Sequence, residues 1–188
     1  YPRVDRLFRD RRAKVFLEDA KSYLARHGRR YDSIVSEPSN PWVNGVAGLF
    51  TREFYRDTSR YLAPGGVFVQ WLQFYELNDR LLGSMFAAMD TVFADYDVYQ
   101  TSAGDLAVLA VRDGRMSSPG ELPAAQAGFL AELAKIGITR REHVLARRVG
   151  SKGQLAPLYA QFRPPVNSDY YPFVQLEATR ARFAQGGA

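Results

Sequence analysis

Polar and acidic residues follow three apolar segments of the chain, at residues 18–20, 36–48 and 70–73. Each group stands where a buried strand is predicted to end. In open α/β sheets, ligands bind in the crevice beyond the carboxyl ends of the strands. These three segments are therefore the candidates for binding and chemistry.

The first segment begins with an acid that follows the apolar run KVFL. Asp19 precedes a helical pattern, so its carboxylate can cap that helix. It can equally accept a hydrogen bond from an exocyclic amine such as that of adenine. The two roles are compatible. We expect a nucleoside site that comprises Glu18, Asp19, Ala20, Ser36 and Pro38.

The second segment, the loop SEPSNPWVNG at residues 36–45, contains three side chains suited to recognition. Glu37 places a carboxylate at a predicted strand end. Asn40 can donate and accept hydrogen bonds, and Trp42 offers a flat apolar wall. We expect Glu37, Asn40 and Trp42 to face a ligand in the crevice. A proline-rich turn that binds no ligand fits the same pattern.

The third segment places two amides in a strand that is otherwise apolar, VFVQWLQF. Gln70 and Gln73 need partners there, because an unpaired buried amide costs about 1–3 kcal/mol. A ligand in the crevice and the backbone of a neighbouring loop are the two alternatives. Both alternatives stay open, and under the first we expect Gln70 and Gln73 to belong to the substrate site.

Alternating strand and helix patterns must position these segments. Strands are predicted at residues 14–18, 31–37 and 67–74, and helices at residues 19–27, 49–62 and 78–93. The last helix has Asn78 as its N-cap. Residues 96–100 and 106–111 predict an antiparallel edge hairpin. This order predicts a Rossmann-like α/β domain of the class I methyltransferase type, with a mostly parallel sheet and helices on both faces.

The remaining chain divides by composition. We expect a partial Rossmann-like domain at residues 1–112, a linker rich in Gly, Pro, Ser and Ala at 113–127, and a helical C-terminal extension at 128–188. Thr139 and Glu142 are spaced as a capping box for a helix through Arg148. From Pro157 onward the pattern is irregular.

Composition excludes several classes of site. The chain has no Cys and two His, so we expect no disulfide, no metal site and no Ser-His-Asp triad. The chain contains no run of about 18 apolar residues, so the sequence predicts no membrane span. Residues 1–30 carry ten Lys and Arg but only four Asp and Glu. Since no nucleic-acid motif accompanies this charge, we expect a solvated face and no nucleic-acid partner.

The run SEPSNPWVNGVAGLFTREFY, residues 36–55, closely resembles the polyamine aminopropyltransferases, and most of all the spermidine-synthase-like relatives often fused to membrane transporter segments. EDAKSYL before it, and APGGVFVQWLQ and VNSDYYP after it, fit the same family. The resemblance covers residues 1–112 well and the tail more loosely.

This resemblance implies a transferase of polyamine biosynthesis. The family passes an aminopropyl group from decarboxylated S-adenosylmethionine to an amine such as putrescine, giving methylthioadenosine, and requires no metal. By resemblance, Asp19 binds adenine, and Glu37 stands where the family has its catalytic Asp. Asn40 replaces a second, amine-binding Asp, and Gln70 lines the amine pocket.

Two departures from the family pattern matter. With Asn40, the site has one carboxylate fewer, so it attracts a diamine dication less strongly and another amine becomes an alternative. The family's Gly-rich loop and the acid of its second strand do not occur before Lys14. We therefore expect the first strands to be lacking, and an exposed sheet edge that favours a homodimer.

Two other functions stay open. Asn40, Pro41 and Trp42 resemble the Asn-Pro-Pro-aromatic loop of S-adenosylmethionine-dependent methyltransferases. The chain could also be a non-catalytic spermidine-synthase-like module that pairs through its sheet edge. In each case we expect a cytoplasmic location, with a membrane-attached segment outside this chain as one arrangement.

Overall fold

The computed structural model describes residues 8–43, 45–75, 77–123 and 127–185. Its centre is a sheet of five strands: β1 (Tyr31–Ser36), β2 (Leu62–Gln73), β3 (Asp95–Ser102), β4 (Asp105–Val111) and β5 (Arg148–Ser151). Their order across the sheet is β1-β2-β4-β3-β5. β1 and β2 are parallel, and the other neighbours are antiparallel. The Rossmann-like α/β fold is confirmed, but the predicted mostly parallel sheet is wrong, because only one of the four strand pairings described is parallel. The predicted hairpin forms, but β5 extends the sheet beyond it.

Helices connect the strands and complete the tail. They are α1 (Ala20–His27), a short 3-10 helix (Val46–Phe50), α2 (Arg52–Ser59), α3 (Asp79–Asp90), α4 (Ala127–Lys135), α5 (Arg141–Leu145), α6 (Lys152–Ala160) and α7 (Phe173–Gln185). The predicted cap of α3 is confirmed, because the Asn78 side chain accepts a hydrogen bond from the Leu81 N–H at 2.9 Å. Helix 49–62 is shorter than predicted, since its last residue, Leu62, already pairs as β2.

β2 begins earlier than the sequence predicts. Tyr31 pairs with Leu62 but Ser33 pairs with Val67, so the extra residues Pro64-Gly65-Gly66 form an irregularity inside the strand. Gly65 adopts φ 73°, which glycine tolerates best. A Cβ at Gly66 would lie 2.9 Å from the Tyr31 carbonyl oxygen. The three residues therefore bend β2 rather than precede it.

The main core lies against one face of the sheet. Phe68, Ala110 and Tyr96 are aligned across β2, β4 and β3 on this face, and all three are buried. The Phe68 ring stacks on Phe93 with 5.3 Å between centroids. Helices α2, α3 and α7 contribute further members of the same cluster, including Tyr55. Burial of each large apolar side chain contributes about 1.5–3 kcal/mol.

Two sequence predictions are wrong. Residues 14–18 form no strand, and Leu17 is 98 % exposed. A strand needs a neighbour for its backbone N–H and C=O groups, and the described residues offer none there. The Thr139 capping box is also absent, because α5 begins after Arg140 without a side-chain cap. A capping box exists instead at Ser151 and Gln154, before α6.

The tail is more regular than its sequence pattern indicates. Pro157 lies within α6, and α7 follows as a helix of 13 residues. Residues 148–151 supply β5, and Val174 of α7 is fully buried in the main core. The described part of the tail thus shares the sheet and core of the preceding residues, while the boundaries of the linker stay a prediction. Of the helices described, none combines the length and hydropathy needed to cross a membrane.

Candidate active site

The carboxyl ends of β1 and β2 bring two predicted site residues together. Ser36 and Gln70 are register partners, and Glu37 directly follows Ser36. The Gln70 side chain is fully buried. Its Nε2 donates to the Ser36 carbonyl at 3.4 Å and to the Trp71 carbonyl at 3.0 Å. The parallel pairing therefore places the Glu37 backbone beside the fixed amide of Gln70.

Two glutamines at this edge have amide atoms that lack partners. Gln70 Oε1, and both Oε1 and Nε2 of Gln73, are buried and form no hydrogen bond within the described structure. An unpaired buried polar atom costs about 1–3 kcal/mol. The two residues are three positions apart in an unbroken part of β2, so their side chains point to opposite faces of the sheet. The loop-backbone alternative accounts for Gln70 Nε2 alone, and a ligand with an N–H donor on the core face would satisfy Gln70 Oε1.

The loop after β1 is fixed by packing rather than by regular structure. Pro38 and Pro41 are buried. The Asn40 carbonyl accepts a hydrogen bond from the Val43 N–H at 2.9 Å, which closes a turn. Trp42 is half-buried against the main core. Glu37 is exposed, so its carboxylate can be reached from solvent.

Asp19 has the predicted N-cap role. Its Oδ2 accepts a hydrogen bond from the Ser22 N–H at 2.8 Å. Hydrogen bonding to Ser22 holds the pKa of Asp19 below its ordinary value, so the carboxylate is charged at neutral pH. Its side chain is exposed, and lone pairs remain for another donor. The capping role therefore leaves the predicted adenine contact possible.

Among the described residues, no direct contact links the acids at the start of α1 to the acid that follows β1. Glu18 forms an ion pair with Arg26 of α1, which engages the carboxylate that was assigned to the nucleoside site. Lys21 of α1 lies 5.7 Å from the ring centroid of Phe54 of α2. No hydrogen bond or ion pair between described residues links Asp19 to Glu37 or to Gln70. The structure thus brings together Ser36, Glu37 and Gln70, and places Asp19 and Ala20 separately at the start of α1.

Asn167 is a buried residue that sequence reasoning missed. Its Nδ2 donates to the Phe50 carbonyl at 2.9 Å, and its Oδ1 accepts from the Val174 N–H at 3.1 Å. Its carbonyl also accepts from the Arg52 N–H at 3.0 Å. The tail is thereby fastened to the helices that follow the SEPSNPWVNG loop. The motif VNSDYYP contains Asn167, but its partner Phe50 lies 117 residues away.

Glu53 fastens the same motif from the other side. Its Oε1 pairs with Arg52 Nε at 2.7 Å, and its Oε2 accepts from the Asp169 N–H at 2.9 Å. Burial disfavours the charged form of Glu53, but these hydrogen bonds outweigh burial and lower its pKa. The carboxylate therefore holds the turn at Asp169 in place as a charged group. No cluster of three or more His, Asp or Glu that could hold a metal occurs among the residues described.

Comparison with known proteins identifies the family of this chain. The spermine/spermidine synthase domain family matches residues 2–104. A polyamine aminopropyltransferase from Thermoplasma volcanium is 28 % identical over 99 residues, which are 53 % of this chain and 36 % of that protein. The polyamine aminopropyltransferase 2 of Pseudomonas aeruginosa is 32 % identical over 97 residues, 50 % of this chain and 28 % of that protein. The chain thus spans about a third of the length of these relatives.

A solved structure shows the same fold. The crystal structure of a probable spermidine synthase from Corynebacterium glutamicum superposes with a TM-score of 0.57 at 18 % identity, covering 89 % of this chain and 60 % of that one. At this identity the likeness concerns the fold alone. The family match, by contrast, extends over more than half of the sequence. The chain therefore belongs to the spermine/spermidine synthase domain family.

Proposed function

We propose that this chain forms the amine side and part of the donor side of an aminopropyltransferase site. The reaction would transfer an aminopropyl group from decarboxylated S-adenosylmethionine to an amine such as putrescine and release methylthioadenosine. One observation carries the proposal: Glu37 follows the register partner of Gln70, at an edge where buried glutamine amides lack partners. The names of the relatives support the reaction class.

Glu37 has the position and chemistry of the base. An alkyl ammonium group has a pKa near that of Lys, about 10.4, so the acceptor amine is mostly protonated at neutral pH. It becomes a nucleophile only after losing a proton. The exposed Glu37 carboxylate can attract the ammonium group and accept that proton. The sulfonium of the donor supplies a carbon that is already activated, so the protein has to orient and deprotonate the amine.

Gln70 is suited to orient the amine. Its free Oε1 is an acceptor, and an ammonium group brings the donor that it lacks. Gln70 cannot turn away easily, because its Nε2 is bound to the carbonyls of Ser36 and Trp71. Gln70 therefore acts as a fixed acceptor on the core face, whereas Gln73 points to the opposite face of the sheet. Trp42 and Asn40, both half-buried in the loop, would form the adjoining wall.

Asp19 is suited to the donor's adenine. The Ser22 N–H occupies one of its oxygens, and the remaining lone pairs can accept a hydrogen bond from the exocyclic amine. Ala20 adjoins it at the start of α1, and Ser36 and Pro38 stay predicted members of the nucleoside site. Glu18 contributes less, because Arg26 already neutralises its charge.

Calorimetric titration with methylthioadenosine tests the proposal on the donor side. We expect micromolar binding, and a loss of affinity in Asp19→Asn, which caps α1 equally well but no longer carries the charge. S-adenosylhomocysteine is the comparison ligand. Tighter binding of that compound would favour the methyltransferase alternative. Failure of both nucleosides to bind would show that the 188-residue chain has no adenosyl site.

A further inference from the structure

A cavity lies on the face of the sheet opposite the main core. Leu109 and Tyr99 point to this face, because their neighbours Val108 and Val98 point into the core and strand side chains alternate. The cavity has a volume of about 410 Å³. That volume falls within the range of about 300–1,000 Å³ that is usual for small-molecule sites.

The walls of this cavity are mainly apolar and come from distant parts of the chain. The sheet contributes Leu109 and Tyr99. Met116, Ile138 and Val144, which all follow β4 in the sequence, also line it. Ile138 and Tyr99 are almost fully buried, so the walls are already packed without a ligand. A preformed apolar cavity of this kind favours the apolar part of a small molecule.

One cationic side chain lines the cavity. The Arg147 guanidinium donates to the Ile136 carbonyl at 2.8 Å and, at the long distance of 3.5 Å, to the Thr101 carbonyl. Both partners are neutral. Arg147 forms no ion pair with any carboxylate in the described ranges. The Gln100 N–H donates to the Arg147 carbonyl at 2.8 Å, which fixes the backbone of this residue to β3.

The charge around Arg147 is positive on balance. Residues 140–148 contain four Arg and one Glu, and Arg148 is paired with Asp97 at 2.7 Å and Arg140 with Glu142 at 3.9 Å, so Arg141 and Arg147 carry the remaining charge. The guanidinium has five N–H donors, and the hydrogen bonds to the two carbonyls engage two of them. A carboxylate can accept two parallel hydrogen bonds from such a group, which are among the stronger hydrogen bonds in proteins.

We propose that this cavity is a binding site for a small amphipathic anion, with an apolar body against Leu109, Ile138 and Val144 and a single carboxylate on Arg147. The site is separate from the candidate active site. Gln70 lies on the core face of β2, whereas Leu109 lies on the opposite face of β4. Its occupant is therefore distinct from the amine and the nucleoside.

Titration of the isotope-labelled 188-residue chain with octanoate and with 1-octanol, followed by NMR, tests the proposal. We expect octanoate to shift the resonances of Leu109, Ile138 and Val144, and to bind about tenfold more tightly than octanol, as one charge-assisted hydrogen bond provides. Arg147→Met should remove this difference while octanol still binds. Arg180→Met, which removes an exposed Arg on α7, is the matched control.

Three outcomes would overturn the proposal. They are equal affinity for octanoate and octanol, shifts confined to the SEPSNPWVNG loop, and no binding of octanoate at millimolar concentration. A variant that fails to fold would lose octanol binding too, so that measurement separates misfolding from loss of the anion contact. Arg147→Lys keeps the charge and should bind octanoate more tightly than Arg147→Met does. A Lys variant no better than the Met variant would count against anion recognition.

Discussion

The interior of the sheet and its β1 edge are built differently. In the interior, β2, β4 and β3 each pair on both sides, and Phe68, Val98 and Val108 are fully buried. At the edge, β1 pairs only with β2 among the described strands, and Val35 is 66 % exposed. We refer to these two regions as the closed end and the open end. The proposed site draws one residue from each region, because Gln70 belongs to the buried β2 and Glu37 follows the exposed β1.

This difference separates two tasks. The closed end holds the Gln70 amide in a fixed position, which requires dense packing. The open end presents the Asp19 and Glu37 carboxylates to solvent, where a ligand can reach them. Substitutions at the open end should therefore alter chemistry with little effect on stability, and substitutions at the closed end should do the reverse.

Glu37→Gln should have the largest effect on the chemistry. Loss of a general base typically slows a reaction by about 10²–10⁴-fold. The side chain is exposed, so the free energy of unfolding and the affinity for methylthioadenosine should change little. Steady-state transfer assays on the intact protein would measure this, with the exposed Glu121→Gln as a matched control. Unchanged turnover would remove Glu37 from the role of base.

Phe68→Ala and Val35→Ala compare the stability of the two ends. Phe68 packs on Phe93 and Tyr55, with ring centroids 5.3 and 5.8 Å away, so its loss should lower the free energy of unfolding by about 3–5 kcal/mol. Val35→Ala should change it by at most about 0.5 kcal/mol. Urea titration measures both.

A large loss of unfolding free energy in Val35→Ala would contradict the exposure of β1 at the open end. It would indicate that another segment or a second copy of the chain covers β1 in solution. A dependence of unfolding on protein concentration would then identify the homodimer. Independence from concentration would favour a covering segment of the same polypeptide.

Glu53 should make stability depend on pH. Its folded-state pKa is lowered, so its contribution to stability is present above the unfolded pKa, about 4.3, and is lost as pH falls through the folded value. Glu53→Gln should cost about 1–3 kcal/mol at neutral pH and flatten the stability profile below about pH 5. Denaturation at several pH values measures this. An unchanged acid limb, as expected for Glu121→Gln, would show that the contact with Asp169 is not held by charge.

Local signals predicted most of the fold from β1 to β4. Apolar periodicity and the caps Asp19 and Asn78 depend on neighbouring residues, so the sequence alone shows them. Residues 14–18 have strand composition, but strand formation depends on a partner. β5 was missed for a similar reason, since four residues form a strand only through pairing with β3 and the Arg148–Asp97 ion pair at 2.7 Å.

The candidate site was predictable to the same extent. Glu37 and Gln70 follow from the rule that ligands bind beyond carboxyl strand ends. The unpaired amide atoms of Gln73 can be recognised only in the structure, because the sequence does not show whether a loop covers them. The role of Asn167 was hidden by its separation from Phe50 in the sequence.

Asn40→Asp should have the smallest effect and addresses how the open end attracts its substrate. A second carboxylate near Glu37 should strengthen attraction for a diamine dication by about 0.2–1 kcal/mol, since half-exposed charges interact weakly. The KM for putrescine should fall by up to about fivefold, and less for propylamine, which carries one charge. The gain should shrink at high salt, because exposed charges are screened. Asn78→Asp is the matched control, since Asp caps α3 as well as Asn does. An equal gain for both amines, or none, would show that the charge at position 40 does not select the acceptor.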